Sequence, residues 1–200
     1  EIVVRVLGPV IFGIQWVVRM TLRIFGVRLD MGVDVLAAHE EIRGAVEYHH
    51  SEGAVESRDR RMLGGVLDLA EMDVSDVMVH RKSIAMIDAG LAPRDLIAKA
   101  LESAHSRLPL YRDEPENIVG VVHAKDLLAA LAAAGGDMDK VDIAAIAREP
   151  WFIPETTNLK EQLNAFLKRQ SHFALVVDEY GGLQGLVTLE DILEEIVGEI

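Results

Sequence analysis

Leu175-Val-Val-Asp178-Glu-Tyr-Gly-Gly182-Leu-Gln-Gly185-Leu-Val-Thr188-Leu-Glu-Asp191-Ile-Leu-Glu-Glu-Ile-Val-Gly198 sets two short aliphatic runs around a Gly-Gly turn. Such runs suit strands, and the second passes directly into an amphipathic helix. The junction Gly185-Leu-Val-Thr188-Leu-Glu-Asp191 therefore puts a hydroxyl and a carboxylate at a helix N-terminus. With Thr188 as N-cap and Asp191 at N3, the pair forms a capping box. The same two groups, beside the first free N–H groups of the helix, also suit an anion and sugar hydroxyls. Spacing alone favours the cap.

Moving towards the N-terminus, the stretch has a partner. Ser106-Arg-Leu-Pro-Leu-Tyr-Arg-Asp113 aligns with Ser171-His-Phe-Ala-Leu-Val-Val-Asp178, and Gly120-Val-Val-His123-Ala-Lys-Asp126-Leu-Leu128 aligns without a gap with Gly185 to Leu193. Each copy reads strand, helix, strand, turn, strand, helix. The first is expected at Ile84–Ile87, Pro93–Ala104, Leu108–Tyr111, Ile118–Val122 and Lys125–Ala134. The second is expected at Trp151–Ile153, Leu159–Arg169, Phe173–Val177, Leu183–Val187 and Leu189–Val197. Gly135-Gly-Asp137 separates them. A single copy would expose an apolar sheet face, so the two should pack together in an α+β fold.

Upstream, Asp34 to Met72 reads as two helices. The first carries Val35, Leu36, Ile42 and Val46 and breaks at Ser51-Glu-Gly53; the second runs from Ser57 to Met72. His49 and His50 lie beside Glu47 and Glu52, yet adjacent helical residues point about 100° apart and do not chelate one ion together. Ile2 to Val27 is different: it is apolar, its only charges are Arg5, Arg19 and Arg23, and Trp16 sits midway. The run from Val6 to Val18 is too short to cross a bilayer and is expected to lie in, or leave, a membrane interface. Beginning at Glu1, the chain is expected to be an excerpt of a longer protein.

Composition narrows the function classes. A formal charge of -13 over 200 residues opposes a nucleic-acid partner. With no cysteine, disulfides and thiolate metal sites are excluded. Aromatics at 5% leave few base-stacking platforms. No nucleophile–base–acid set, phosphate-binding Gly-rich loop or zinc spacing occurs, so no enzymatic activity is expected.

The duplicated strand–helix unit closing on Gly-apolar-apolar-Thr-x-x-Asp resembles the cystathionine-β-synthase (CBS) domain, which occurs in tandem pairs. Val177 to Gly182 followed by Gly185 to Glu199, with Asp76-Val-Met78, Ser106 to Tyr111, Gly120 to Leu128 and the preceding Glu40 to Leu63, is more narrowly similar to the CorC/HlyC family related to the CNNM transporters. The resemblance implies a juxtamembrane segment or end of a transmembrane domain over 1–28, an acidic helical linker over 34–73, and CBS domains over 74–136 and 137–200. It further implies a transmembrane domain upstream, a small domain downstream, and a place on the cytoplasmic face of the inner (plasma) membrane. The CBS pair would dimerise and bind an adenine nucleotide, ATP with Mg2+ or else ADP, AMP or another adenosyl ligand, to regulate magnesium or cobalt transport.

Carried onto this sequence, the nucleotide-binding positions are Thr188, Asp191, Arg107, Ile87, Asp88, Leu108, Pro109, Gly185 and Leu186. Asp191 would accept from the ribose hydroxyls, and Arg107 would fork onto phosphate. Asp88 replaces a common threonine, and an acid there would repel phosphate unless Mg2+ or a ribose hydroxyl intervened. The pseudo-symmetric cleft has His123 for the hydroxyl and His172 for the arginine, keeps Asp126, and is expected to be empty or weak. His80 stands where the family usually has proline. Two alternatives are a CBS pair that only scaffolds a dimer and a membrane-active toxin; only the first segment would serve the latter.

Overall fold

A computed structural model describes residues 35–198. The expected juxtamembrane segment, 1–28, lies outside the described residues. The chain divides into two compact units, 1–48 and 49–200. Most of helix α1 (Val35–Ser51) falls in the first. The helix ends where expected, with Gly53 at φ +77° and its amide donating to the His50 carbonyl.

The second unit opens with helix α2 (Ser57–Asp68) and a single turn, α3 (Val74–Val77). The first repeat then supplies β1 (Val79–His80), β2 (Ile87–Asp88), α4 (Pro93–Glu102), β3 (Arg107–Arg112), β4 (Glu114–His123) and α5 (Ala124–Ala133). The second supplies α6 (Ile143–Ile146), β5 (Phe152–Pro154), α7 (Leu159–Arg169), β6 (Phe173–Val177), β7 (Leu183–Thr188) and α8 (Leu189–Val197). One sheet has the order β2-β3-β4 and the other β1-β7-β6-β5. The gapless alignment does not survive in the hairpins: Arg107 stands opposite His123 but Phe173 opposite Thr188, and Leu110 opposite Gly120 but Val176 opposite Gly185. Strand β6 is thus shifted by one residue, and the counterpart of Arg107 is Phe173, not His172.

Strand alternation explains how the copies join. On β6, Ala174 and Val176 face the helices with Val187, Phe166, Leu159 and Ile192, whereas Phe173 and Leu175 point the other way. These last two pack with Leu183 against Ile118 and Val121 of the first repeat. The faces that one copy would leave wet are thus buried on each other. Ile87, Leu96, Ile97, Leu108, Leu110 and Leu127 form the first repeat's own core.

Two expected elements are shorter than their periodicity suggests. The second linker helix stops at Asp68 rather than Met72, because tertiary bonds capture the chain beyond it. The carbonyls of Leu69 and Met72 accept from Lys160 and Leu159, and Asn158 Nδ2 donates to those of Ala70 and Met72. The first repeat's opening strand is Ile87–Asp88, not Ile84–Ile87. Residues Arg81–Ser83 instead form a 3-10 turn. His80 holds φ -62°, the value a proline ring imposes, and its Nδ1 caps the turn by accepting from Lys82 N at 3.3 Å. His80 thus holds a backbone conformation that a proline would also adopt, and adds a side-chain cap.

The sheet order also crosses the repeats. Val79 and His80 pair antiparallel with Leu186 and Gly185, so the segment 74–80 sits on the body of the second repeat. Gly185 permits this approach: a Cβ there would stand 2.5 Å from the Val79 carbonyl oxygen and 2.8 Å from Met78 Sδ. Gly185→Ala should therefore lower unfolding stability by about 1–3 kcal/mol, as overpacking does. Denaturant titration checks this. Gly120, its partner in the repeat, is approached less closely, a Cβ there standing 3.1 Å from Ala147 Cβ and 3.5 Å from the Arg148 carbonyl oxygen.

The β6–β7 turn is pinned by Asp178, whose Oδ1 accepts from Gly182 N at 2.8 Å and Tyr180 N at 3.0 Å while Oδ2 accepts from Gln184 Nε2 at 2.7 Å. The Gly182 amide, with the Gln184 side chain and the Tyr180 amide, holds its carboxyl below the usual value. A depressed carboxyl pKa contributes stability above about pH 4 that disappears as pH falls through the folded value. Asp178→Asn should flatten the acid side of the curve of denaturation midpoint against pH.

Candidate nucleotide-binding cleft

Between the repeats lies a cavity of about 360 Å³, within the range of small-molecule sites. Thr188, Glu190 and Asp191 enter it from the N-terminus of α8, and Arg107 from the start of β3 with Ala104, His105 and Ser106 before it. Val79, Ser83, Ile84 and Ala85 form a third wall, and Phe173 and Leu186 lie beneath.

Thr188 and Asp191 make the capping box. Asp191 Oδ2 accepts from Thr188 N at 2.7 Å and from Thr188 Oγ1 at 2.9 Å, and Thr188 Oγ1 accepts from Asp191 N at 3.2 Å. All of these bonds to the carboxylate fall on Oδ2; among the described residues Oδ1 has no hydrogen-bond partner. Capping therefore leaves half of the carboxylate for a ligand. Arg107 forms no salt bridge among the described residues, so its guanidinium is not spent on a neighbouring acid.

Of the nine residues expected to bind, the structure brings Thr188, Asp191, Arg107 and Leu186 to the cavity. The other five lie outside its lining. Ile87 and Leu108 are buried in the first repeat's core, and Pro109 is buried in β3 opposite Val121. Gly185 serves the β1 contact. Asp88 accepts from Gly90 N at 2.8 Å at the end of β2. Asp88 is not among the residues that line the cavity. Ile84 and Ala85, expected in a strand, line the cavity instead, together with Ser83. Ser106 and Glu190 were already inside quoted motifs; His105 carried no signal.

The second cleft differs for two reasons. Eight positions separate Val79 from Ile87, but only five separate Arg148 from Ile153, which occupy equivalent places in the second repeat. The shorter connection has no room for the turn that walls the cavity. In addition, Arg148 Nη2 and Nε donate to Asp126 Oδ2 at 2.7 and 3.0 Å. His123 Nδ1 accepts from Lys125 N at 3.1 Å, and burial, then the Arg107 charge, hold the imidazole's pKa below its usual value. Its cap is thus made by an imidazole nitrogen where the first cleft has a hydroxyl.

The CBS domain family matches residues 74–133 and 141–198. The chain is 36% identical over 165 residues, 82% of its length, to the magnesium and cobalt efflux protein CorC of Pasteurella multocida, covering 54% of that protein. It is 36% identical over 191 residues, 96% of its length, to the UPF0053 inner membrane protein YfjD of Escherichia coli K12, covering 44% of it. The chain thus spans about half the length of the curated relatives it matches. Among solved structures, the CBS domain of a bacterial CNNM/CorC family Mg2+ transporter superposes with a TM-score of 0.74 at 38% identity, over 80% of this chain and 96% of that one. A structure of such a domain in complex with ATP gives 0.64 at 41% identity, over 70% and 97%. The protein carries a tandem CBS pair and belongs to the CorC/CNNM family. No helix among the described residues is long and apolar enough to cross a membrane.

Proposed function

We propose that this chain is the non-catalytic regulatory part of a CorC-type magnesium/cobalt transporter, binding an adenine nucleotide between its CBS repeats. One observation carries the reading: Thr188 and Asp191 of one repeat and Arg107 of the other converge on a single cavity. Asp191 offers a carboxylate to the ribose hydroxyls, Arg107 offers a fork to phosphate oxygens, and the apolar side chains of Val79, Ile84, Phe173 and Leu186 offer a surface for the base. Glu190 and Asp191 bring two negative charges to a wall with one guanidinium. ATP therefore enters with Mg2+ neutralising its phosphates. The relatives' names support a transporter of the inner membrane. On this reading a nucleotide-binding region lies on the nucleotide-rich cytoplasmic face and is coupled to a membrane domain. Exposed Leu128, Leu193 and Val197, on the two repeat-closing helices, support a homodimer formed through the CBS pairs.

The capping box favours a second reading, a dimerisation scaffold that binds no ligand, since Thr188 and Asp191 already satisfy each other. Thermal-shift titration of the full chain with ATP, ADP and AMP, with and without Mg2+, separates the two. Nucleotide at a hundred times Kd adds about 2.7 kcal/mol to stability. The scaffold reading requires no shift with any of the three.

A further inference from the structure

Helix α8 touches two things at its opposite ends. Its first turn carries Thr188, Glu190 and Asp191 to the cavity, and its last turn lies on α2 at Gly65. Gly65 is buried, and a Cβ there would stand 2.4 Å from the Glu195 carbonyl oxygen and 2.8 Å from Ile196 Cα. Both are backbone atoms, so no rotamer relieves the clash. Gly64, one position earlier on the same helix, has nothing within 4 Å of such a Cβ. Glycine weakens a helix interior relative to alanine. At Gly65 that weakness is offset by backbone-to-backbone contact; at Gly64 it is not.

We propose that the Gly65 crossing is the contact through which occupancy of the cavity is transmitted to the linker helix α2. α8 has nine residues, about 13 Å of rise, and is short enough to move as one body. A ligand with vicinal hydroxyls bonds Asp191 Oδ1 and so draws on the carboxylate whose Oδ2 closes the capping box. That pull shifts the first turn of α8, and a helix in close-packed contact has no slack to absorb the shift before its last turn. α2 follows because its backbone rests on that turn. Coupling of this kind is reciprocal, so a change at Gly65 also alters nucleotide affinity.

Because this route presupposes nucleotide in the cavity, binding and transmission are measured separately. Calorimetry of the full chain with ATP and Mg2+ reports binding; hydrogen exchange over residues 57–68 reports transmission. In the wild type, nucleotide should slow exchange in that helix about fivefold or more, the low end of typical allosteric coupling. Gly65→Ala should abolish the slowing and weaken ATP by a similar factor. Gly64→Ala should leave both unchanged. Ile196→Ala, which loosens the same crossing without adding an atom, should reproduce the loss even if Gly65→Ala does not fold. Wild-type binding without slower exchange in 57–68, or a full response in both crossing variants, overturns the transmission route alone. Absence of wild-type binding overturns the nucleotide reading and this route with it.

Discussion

Asp191→Ala is expected to reduce ATP affinity by about a hundredfold or more while the chain stays folded. A hydrogen bond to a charged group contributes about 1.5–3 kcal/mol, and this carboxylate is placed to accept two from one ribose. The substitution also removes the N3 half of a capping box, which costs about 1 kcal/mol of stability. The two losses separate experimentally. Denaturant melts without nucleotide report the cap, and calorimetry at a temperature where both proteins are folded reports the site. Thr188→Val removes the hydroxyl but leaves the carboxylate, so its affinity loss should be the smaller. Equal ATP affinity in wild type and Asp191→Ala would remove Asp191 from the site.

Phe166→Ala is expected to cost about 3–5 kcal/mol of stability, the range for emptying a buried aromatic position. Phe166 is 1% exposed at the centre of the second repeat's core. It meets Trp151 edge-on with ring centroids 5.4 Å apart, and the Arg169 guanidinium lies 4.4 Å over the other ring. Removing Phe166 leaves the indole without its partner and opens a void beside Leu159, Val176 and Ile192. Ile192 is the buried anchor of α8, so nucleotide binding should weaken as well, although Phe166 does not line the cavity. Urea denaturation followed by Trp fluorescence reads the stability directly.

Much of this fold was legible because the repeat keeps its order of elements and its closing motif, Gly120 to Asp126 against Gly185 to Asp191. The equal spacing from Ser106 to Asp126 and from Ser171 to Asp191 hid a one-residue shift, since Leu110 faces Gly120 whereas Val176, not Leu175, faces Gly185. What the sequence hid is non-local. Nothing in Val79-His80 says that it pairs with Gly185 and Leu186, about a hundred residues away, instead of with its own repeat. The apolar run Ile84 to Ile87 looks like one strand, but its first half bends around the cavity after the His80-capped turn. Ile84 and Ala85 therefore line the cavity, and Ile87 and Asp88 do not. Thr188, Asp191 and Arg107, which line it too, stand out in the sequence because their chemistry falls at element ends. Leu108 and Pro109 were not separable from Arg107 without knowing which side of β3 is buried. The asymmetry between the two clefts was readable at His123; the Arg148–Asp126 ion pair was not.

The central claim is that one asymmetric cleft per chain takes a nucleotide. Calorimetric titration of the full chain with ATP, repeated with and without Mg2+, tests it most directly. Saturable binding of one ATP per chain, stronger with Mg2+, is the result expected from a single cavity whose acidic wall faces the phosphates. Two equal sites per chain, or no heat and no saturation at millimolar ATP with Mg2+, would contradict it.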